Sequence, residues 1–214
     1  MIYALAVLTL VVGAVLAVVQ TNVKRMMAYS SINHAGFVLV GVEAATRQGV
    51  QAALFYLGTY TFLIAGTFGV ITLVGRKGDA RHSLDDYKGL SRTRPLLALV
   101  LTVFLLAQAG VPLTSGFFAK FYVITAAVDS GSAWLAVVAM LSTVISAFLY
   151  LRITVSLYMS EGEDTETASG RIAIPAAAGV ALALCFVVTL VVGVWPGSVA
   201  QVARDAVPVL SLPG

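Results

Sequence analysis

Residues 96–128 contain a single side chain that is charged at neutral pH, Lys120, and are interrupted by Gly110-Val111-Pro112-Leu113-Thr114-Ser115-Gly116. Charged residues make up only 11% of the chain, against about 25% in soluble domains, and the mean hydropathy is +0.96. The solvent for this segment is therefore lipid. A straight helix of 33 residues would be ~50 Å long at 1.5 Å per residue, too long for one crossing of a ~30 Å hydrocarbon core. A break near 110–116 is required by geometry as well as by its Gly and Pro content. Broken backbone at that depth is tolerated only inside protein or along a wet cavity. A charge at that depth costs roughly 2.5–3.5 kcal/mol on insertion scales, so Lys120 must face protein or water. A lysine beside a broken helix reads as an ion pathway.

About 20 predominantly apolar residues cross a membrane, and six segments qualify: residues 2–19, 26–45, 51–75, 96–128 (broken), 133–159 and 172–195, with a short tail after the last. The expected architecture is an all-α membrane bundle of six transmembrane helices, one discontinuous, forming a single domain over residues 1–214. The first segment lacks a basic leading region and is too long for a signal core, so it reads as a span. A net charge of +3 is too small to imply nucleic acid. Cys185 is the only cysteine and excludes a disulfide framework. His34 and His82 are too far apart in sequence and setting for a metal site.

The connections set the orientation. Lys24, Arg25, Arg76, Lys77, Arg81, Lys88, Arg92, Arg94, Arg152 and Arg171 fall on one side, and only Arg47 and Arg204 on the other. The positive-inside rule makes the first side cytoplasmic and puts both termini outside. The acidic run Glu161–Glu166 reads as a solvated cytoplasmic loop. In the 76–94 connection, Ser83 with Asp86 three residues on suggests a capped, short interfacial helix, either a surface anchor or a docking site. Trp134 and Trp195 near outer ends suit an interfacial belt. Gly13, Gly66 and Gly69 suit close helix packing.

His34 is the second intramembrane polar group. Counted from Lys24 it lies ~15 Å deep, near mid-bilayer. Tyr29, Ser30, Ser31 and Asn33 precede it, and Ser30 and Ser31 share its helix face at i−4 and i−3. Such a stripe suits a hydrated half-channel, and an imidazole can pass a proton between its two nitrogens. The plainer alternative is a histidine held by an interhelical hydrogen bond. For Lys120 the plainer alternative is a packing ion pair, but no acidic residue lies inside the spans, since Glu43 and Asp129 are near their ends. Its partner is then water, His34, a backbone carbonyl or another chain. The start of the second half-helix and a low dielectric both disfavour a permanent ammonium, as a reversible proton carrier requires. No phosphate loop, nucleotide fingerprint, catalytic triad or haem motif is present, so no cofactor is expected in this chain.

The run Gln20-Thr21-Asn22-Val23-Lys24-Arg25-Met26-Met27-Ala28-Tyr29-Ser30-Ser31-Ile32-Asn33-His34-Ala35-Gly36-Phe37 resembles a signature of the antiporter-like subunits of complex I. Leu84-Asp85-Asp86-Tyr87-Lys88-Gly89-Leu90 resembles the following cytoplasmic loop, and Ala109-Gly110-Val111-Pro112-Leu113-Thr114-Ser115-Gly116-Phe117-Phe118-Ala119-Lys120-Phe121-Tyr122 resembles the broken helix. The lysine at 120 is more similar to the subunit N class of bacterial NADH:quinone oxidoreductase, counterpart of mitochondrial NADH dehydrogenase subunit 2, than to subunit M, which tends to carry glutamate there. The short tail disfavours subunit L. The resemblance implies that Lys120 is the terminal proton site facing the outer half-channel and that His34 relays protons towards it. It also implies a bacterial inner-membrane location, other complex I membrane subunits as partners, and redox chemistry in those partners.

The family fold has fourteen spans built on two inverted repeats, and the six spans here resemble the last six. An amino-terminal half is then to be sought upstream or on a separate chain. The competing readings are a cation/proton antiporter subunit of the same fold and a non-transporting scaffold.

The orientation is directly testable in intact cells. Accessibility tags at Asp129 and Gly214 should react from the outer side, and a tag at Gly78 only from the cytoplasm. The opposite labelling pattern would invert the topology.

Overall fold

In the first helix, α1 (Ile2–Val18), every residue is apolar, glycine or a back-bonded threonine. Asn22 then starts α2 (Val23–Glu43), its side-chain oxygen accepting from the Arg25 N–H at 3.0 Å, as a capping residue does. The computed structural model describes residues 1–75, 82–159 and 174–210. Helix α3 (Arg47–Gly75) follows, then a 3-10 turn (Leu84–Tyr87), a single turn α4 (Leu90–Thr93), α5 (Pro95–Ala109), α6 (Ser115–Asp129), α7 (Ala133–Tyr158), α8 (Ala176–Val194) and α9 (Gly197–Leu210). The described residues are all-α apart from one isolated bridge between Asn22 and Ser83. Helices α3, α7 and α8 are each long and apolar enough to cross a membrane, while α1 and α5 are shorter apolar helices.

The expected break lies between α5 and α6. Pro95 opens α5, where its missing N–H costs nothing. Gly110 ends it at φ +93°, a conformation open to glycine. The Gly110 and Val111 N–H groups donate back to the Leu106 carbonyl, both at 3.1 Å, which satisfies an end carbonyl. Leu113 also has positive φ, +67°, and Thr114 steadies the turn by donating to the Val111 carbonyl at 2.6 Å. Helix α6 then restarts with Gly116 against the Ala107 carbonyl, where a Cβ would have no room.

The Ser83 cap forms as expected, with the Ser83 N–H donating to the Asp86 carboxylate at 2.9 Å. It caps a 3-10 turn that ends on the buried Tyr87, and the buried Leu90 begins α4 just after it. The loop is tied to the start of α2, since the Val23 N–H donates to the His82 carbonyl at 2.7 Å and the Leu84 N–H to the Thr21 carbonyl at 2.9 Å. Ser156 on α7 donates to the Leu84 carbonyl at 3.0 Å. The acidic run 161–166 lies outside the described residues.

One feature of the expected architecture needs correcting. Residues after 195 form the helix α9 where a short tail was expected. Trp195-Pro196-Gly197 reads as a stop, yet Ala203 and Val207 bury a narrow apolar stripe while Gln201, Arg204 and Asp205 stay exposed.

Helix α1 packs on α2, α2 on α3, and α3 on α5, α6 and α8, while α7 packs on α1, α5 and α6. Gly13 faces the Asn33 backbone, Gly66 the Phe104 ring and Gly69 Leu182. Two apolar clusters result. One centres on Met26, Leu63, Leu101, Phe104 and Tyr150, the other on Leu10, Phe37, Tyr56, Val123 and Leu135. Large apolar side chains also face outward, including Leu8, Val144 and Val180, as lipid contact requires.

Gly116 provides a test of the break. Gly116→Val in the full subunit should push α6 off α5 and cost about 1–3 kcal/mol in overpacking, read as a lower thermal midpoint. Gly58→Ala, a site with nothing within 4 Å, should leave the midpoint unchanged. Equal midpoints for both variants would mean that α5 and α6 do not meet as described.

Candidate functional site

One side chain joins the two apolar clusters. His34, buried on α2, contacts Tyr56 of α3 through Nδ1 at 2.6 Å and Tyr150 of α7 through Nε2 at 2.8 Å. Tyr150 Oη meets Ser30 Oγ at 2.5 Å. Ser30 is one turn before His34, so both side chains lie on the same face. Tyr60 stacks on the imidazole at 4.3 Å between centroids, and its hydroxyl donates to Ser31 Oγ at 2.9 Å. Ser31 in turn donates to the Met27 carbonyl at 3.0 Å.

These contacts form a continuous chain, Ser30–Tyr150–His34–Tyr56. A neutral imidazole donates from one nitrogen and accepts at the other. The chain can therefore run in either of two senses. In one, Ser30 donates to Tyr150, Tyr150 to Nε2, and Nδ1–H to Tyr56. In the other, Tyr56 donates to Nδ1, Nε2–H to Tyr150, and Tyr150 to Ser30. Switching between them shifts one proton at each link without moving a heavy atom far. This is the geometry of a proton relay.

Lys120 lies beyond the Tyr56 end. Its Nζ donates to the Ala109 carbonyl at 3.2 Å and sits 5.1 Å from the Phe37 ring centroid, within cation–π range. Phe37 itself stacks on Tyr56 at 5.7 Å. Among the described residues Lys120 has no carboxylate partner within ion-pair distance. It is close enough to act electrostatically on His34 but makes no hydrogen bond to it. Of the partners open in the sequence, the structure supplies the backbone carbonyl. The break makes that carbonyl available, because the last carbonyls of a helix lack intrahelical donors. Gly110 is needed a second time here, since a Cβ would meet Lys120 Cδ at 3.2 Å.

The other sequence candidates divide. Asn33 faces away from the relay: its amide donates to the Leu10 carbonyl at 2.7 Å and to Ser142, and its oxygen accepts from Ser146 at 3.3 Å. It ties α2 to α1 and α7. Tyr29 is half-buried against the apolar cluster, and no hydrogen bond joins it to the relay. Pro112 is exposed on the connecting turn.

Tyr56, Tyr60 and Tyr150 escaped the sequence reading. The available signal was hydroxyl-bearing aromatics inside apolar helices, whose polar tips need partners when buried. Gln108 was missed as well; it is fully buried, and its amide donates to Thr67 Oγ1 at 2.7 Å, fastening the end of α5 to α3. Among the described residues no three His, Cys, Asp or Glu side chains converge to hold a metal.

The two tyrosines should set the imidazole tautomer, because a buried N–H without an acceptor costs about 1–3 kcal/mol. Tyr150→Phe should place the proton on Nδ1, and Tyr56→Phe should place it on Nε2, as read by nitrogen-15 solid-state NMR of His34. The same tautomer in both variants would break the relay assignment.

Residues 1–146 match the family described as NADH:quinone oxidoreductase/Mrp antiporter, TM. The chain is 43% identical over 209 residues to NADH-quinone oxidoreductase subunit N 1 of Solibacter usitatus, covering 96% of this chain and 42% of that protein. A chain of respiratory complex I from Thermus thermophilus with bound aureothin superposes with a TM-score of 0.77 at 30% identity, over 94% of this chain and 44% of that one. A chain of the membrane-bound sulfane sulfur reductase, an archaeal respiratory membrane complex, does so with a TM-score of 0.86 at 31% identity, over 97% and 41%. The chain spans about two-fifths of the length of these relatives. This helical bundle with a buried lysine beside a helix break thus belongs to the antiporter-like family of membrane subunits shared by NADH:quinone oxidoreductase and Mrp antiporters.

Proposed function

We propose that this chain is the carboxyl-terminal portion of a subunit N of proton-translocating NADH:quinone oxidoreductase, in a bacterial inner membrane. Its six crossings stand for the last six of fourteen, with both termini outside, and they provide the exit half of a proton path. NADH oxidation and quinone reduction belong to partner subunits, and the entry half to the rest of the subunit.

The observation that supports this reading is the chain Ser30–Tyr150–His34–Tyr56, whose Tyr56 end shares the Phe37 ring with Lys120 at the break. A proton entering from the basic side reaches Ser30, and one reversal of the hydrogen-bond sense delivers a proton at Tyr56. Phe37 then separates Tyr56 from Lys120. The flexible lysine stem, or water beside the ring, has to close that gap. Lys120, accepting the proton as an amine, holds it as an ammonium on the Ala109 carbonyl until it is released to the outer side. The phenylalanine gap separates loading from release, which pumping requires and simple leakage does not.

The matched family also contains Mrp antiporters. A proton flux that depends on a monovalent cation and proceeds without NADH oxidation would favour that reading.

Lys120 carries the test. Lys120→Arg keeps the cation but does not release a proton, and Lys120→Met keeps the stem without the charge. Both variants should assemble, and both should lose most proton uptake into vesicles carrying the intact complex, normalised to assembled complex. Normal pumping by an assembled Lys120→Arg complex would sink the proton-site reading and return Lys120 to a structural role.

A further inference from the structure

Among the described residues, two cationic side chains far apart in sequence, Arg47 and Arg204, lie at the end of the bundle where α3 begins. Both line one cavity of about 490 Å³, between the start of α3, the end of α6 and the amphipathic α9. Both arginines are exposed, and together they give this cavity a positive lining that favours an anionic occupant. The described residues do not supply it: neither arginine has an ion pair. Asp129 instead accepts from Gln48 at 3.2 Å on the rim, and Asp205 is exposed beside Arg204.

The walls identify the occupant. Arg47, Arg204 and Gln48 supply donors, while Phe55 and Tyr122, in edge contact at 5.1 Å, supply an apolar wall. A ligand with an anionic head and an apolar continuation fits both parts, and a free inorganic anion uses only the first. The depth agrees. The exposed Trp134 and Trp195 begin α7 and follow α8 on the same face, and exposed tryptophans sit at headgroup level. A water molecule takes about 30 Å³, so the volume corresponds to roughly sixteen waters, room for a phosphate and a glycerol backbone. Guanidinium forks bind phosphate oxygens in pairs.

We infer that this cavity is a binding site for the phosphate headgroup of an anionic glycerophospholipid, seated between Arg47 and Arg204. The single negative charge of the phosphodiester offsets part of the positive charge of the two arginines, and contacts to both fasten α9 to α3. The site is independent of the relay and of the orientation of the chain.

The test uses the intact complex in nanodiscs doped with a photoactivatable phosphatidylglycerol or, separately, with the matching phosphatidylcholine. Cross-linked peptides are then mapped by mass spectrometry. The glycerol lipid should label peptides of α3 and α9 around the cavity at least fivefold more than the choline lipid. Arg47→Gln with Arg204→Gln should remove that excess and leave labelling elsewhere unchanged. Equal labelling by the two lipids in the wild-type complex overturns the proposal and needs no variant. Loss of the excess on adding millimolar inorganic phosphate assigns the site to a free anion and overturns the lipid assignment. No labelling by either lipid, together with cross-links from the cavity to a neighbouring subunit, assigns it to a protein carboxylate and also overturns it.

Discussion

In lipid, an unsatisfied polar group costs several kcal/mol, and apolar surface gives neighbouring helices little reason to associate. The bundle therefore depends on its interior polar contacts in a way a water-soluble core does not. His34 is the centre of these contacts, bonded on one side to α3 and on the other to α7. Asn33, one residue earlier, adds bonds to α1 and α7 from the adjoining face of the same helix. Helix α2 thus holds three neighbours through two consecutive side chains. One of the two is free to change the sense of its hydrogen bonds, and the other is not.

This division explains why stability and transport can coexist in one helix. The Asn33 amide donates and its oxygen accepts, with no second arrangement of equal quality on those partners. The His34 imidazole has two arrangements that satisfy the same pair of hydroxyls. On the proposed reading, a relay built from tyrosines and serine keeps the interior neutral between transfers, and Lys120 is the group that carries the charge. The nearest compensation it finds is a helix-end carbonyl and an aromatic face, both weaker than a carboxylate. A strong ion pair would hold the ammonium permanently; Lys120 has no such partner among the described residues, which suits the proton site proposed for it.

What was legible in the sequence was whatever depends on spacing along one helix. The break followed from the length of 96–128 and its Gly and Pro residues. Ser30 as the helical neighbour of His34 followed from the four-residue repeat, and both meet Tyr150. The cap at Ser83 was local too, although the turn it caps is tighter than expected. Tyr56 and Tyr150 were not legible as partners, because nothing in one sequence ties Tyr150 to a histidine 116 positions away. Asn33 was misleading for a related reason: adjacent helical residues point about 100° apart, so it shares the segment of His34 without sharing its contacts. Helix α9 was hidden by Pro196 and Gly197, which mark the end of α8 but do not prevent a new start.

The bridge between Asn22 and Ser83 makes the entry to α2 a joint. Two backbone hydrogen bonds clamp the first turn of the helix to the loop before α5, and Ser156 clamps that loop to α7. A helix is nearly incompressible along its axis, so a push on the loop travels to the imidazole as a displacement of the whole rod. Contacts of 2.6 and 2.8 Å to Tyr56 and Tyr150 leave little slack, since hydrogen bonds weaken beyond about 3.2 Å. A shift of α2 against α3 by little more than about half an ångström would therefore stretch the His34–Tyr56 contact past that range, while the loop, tied to α7 as well, keeps Tyr150 in step.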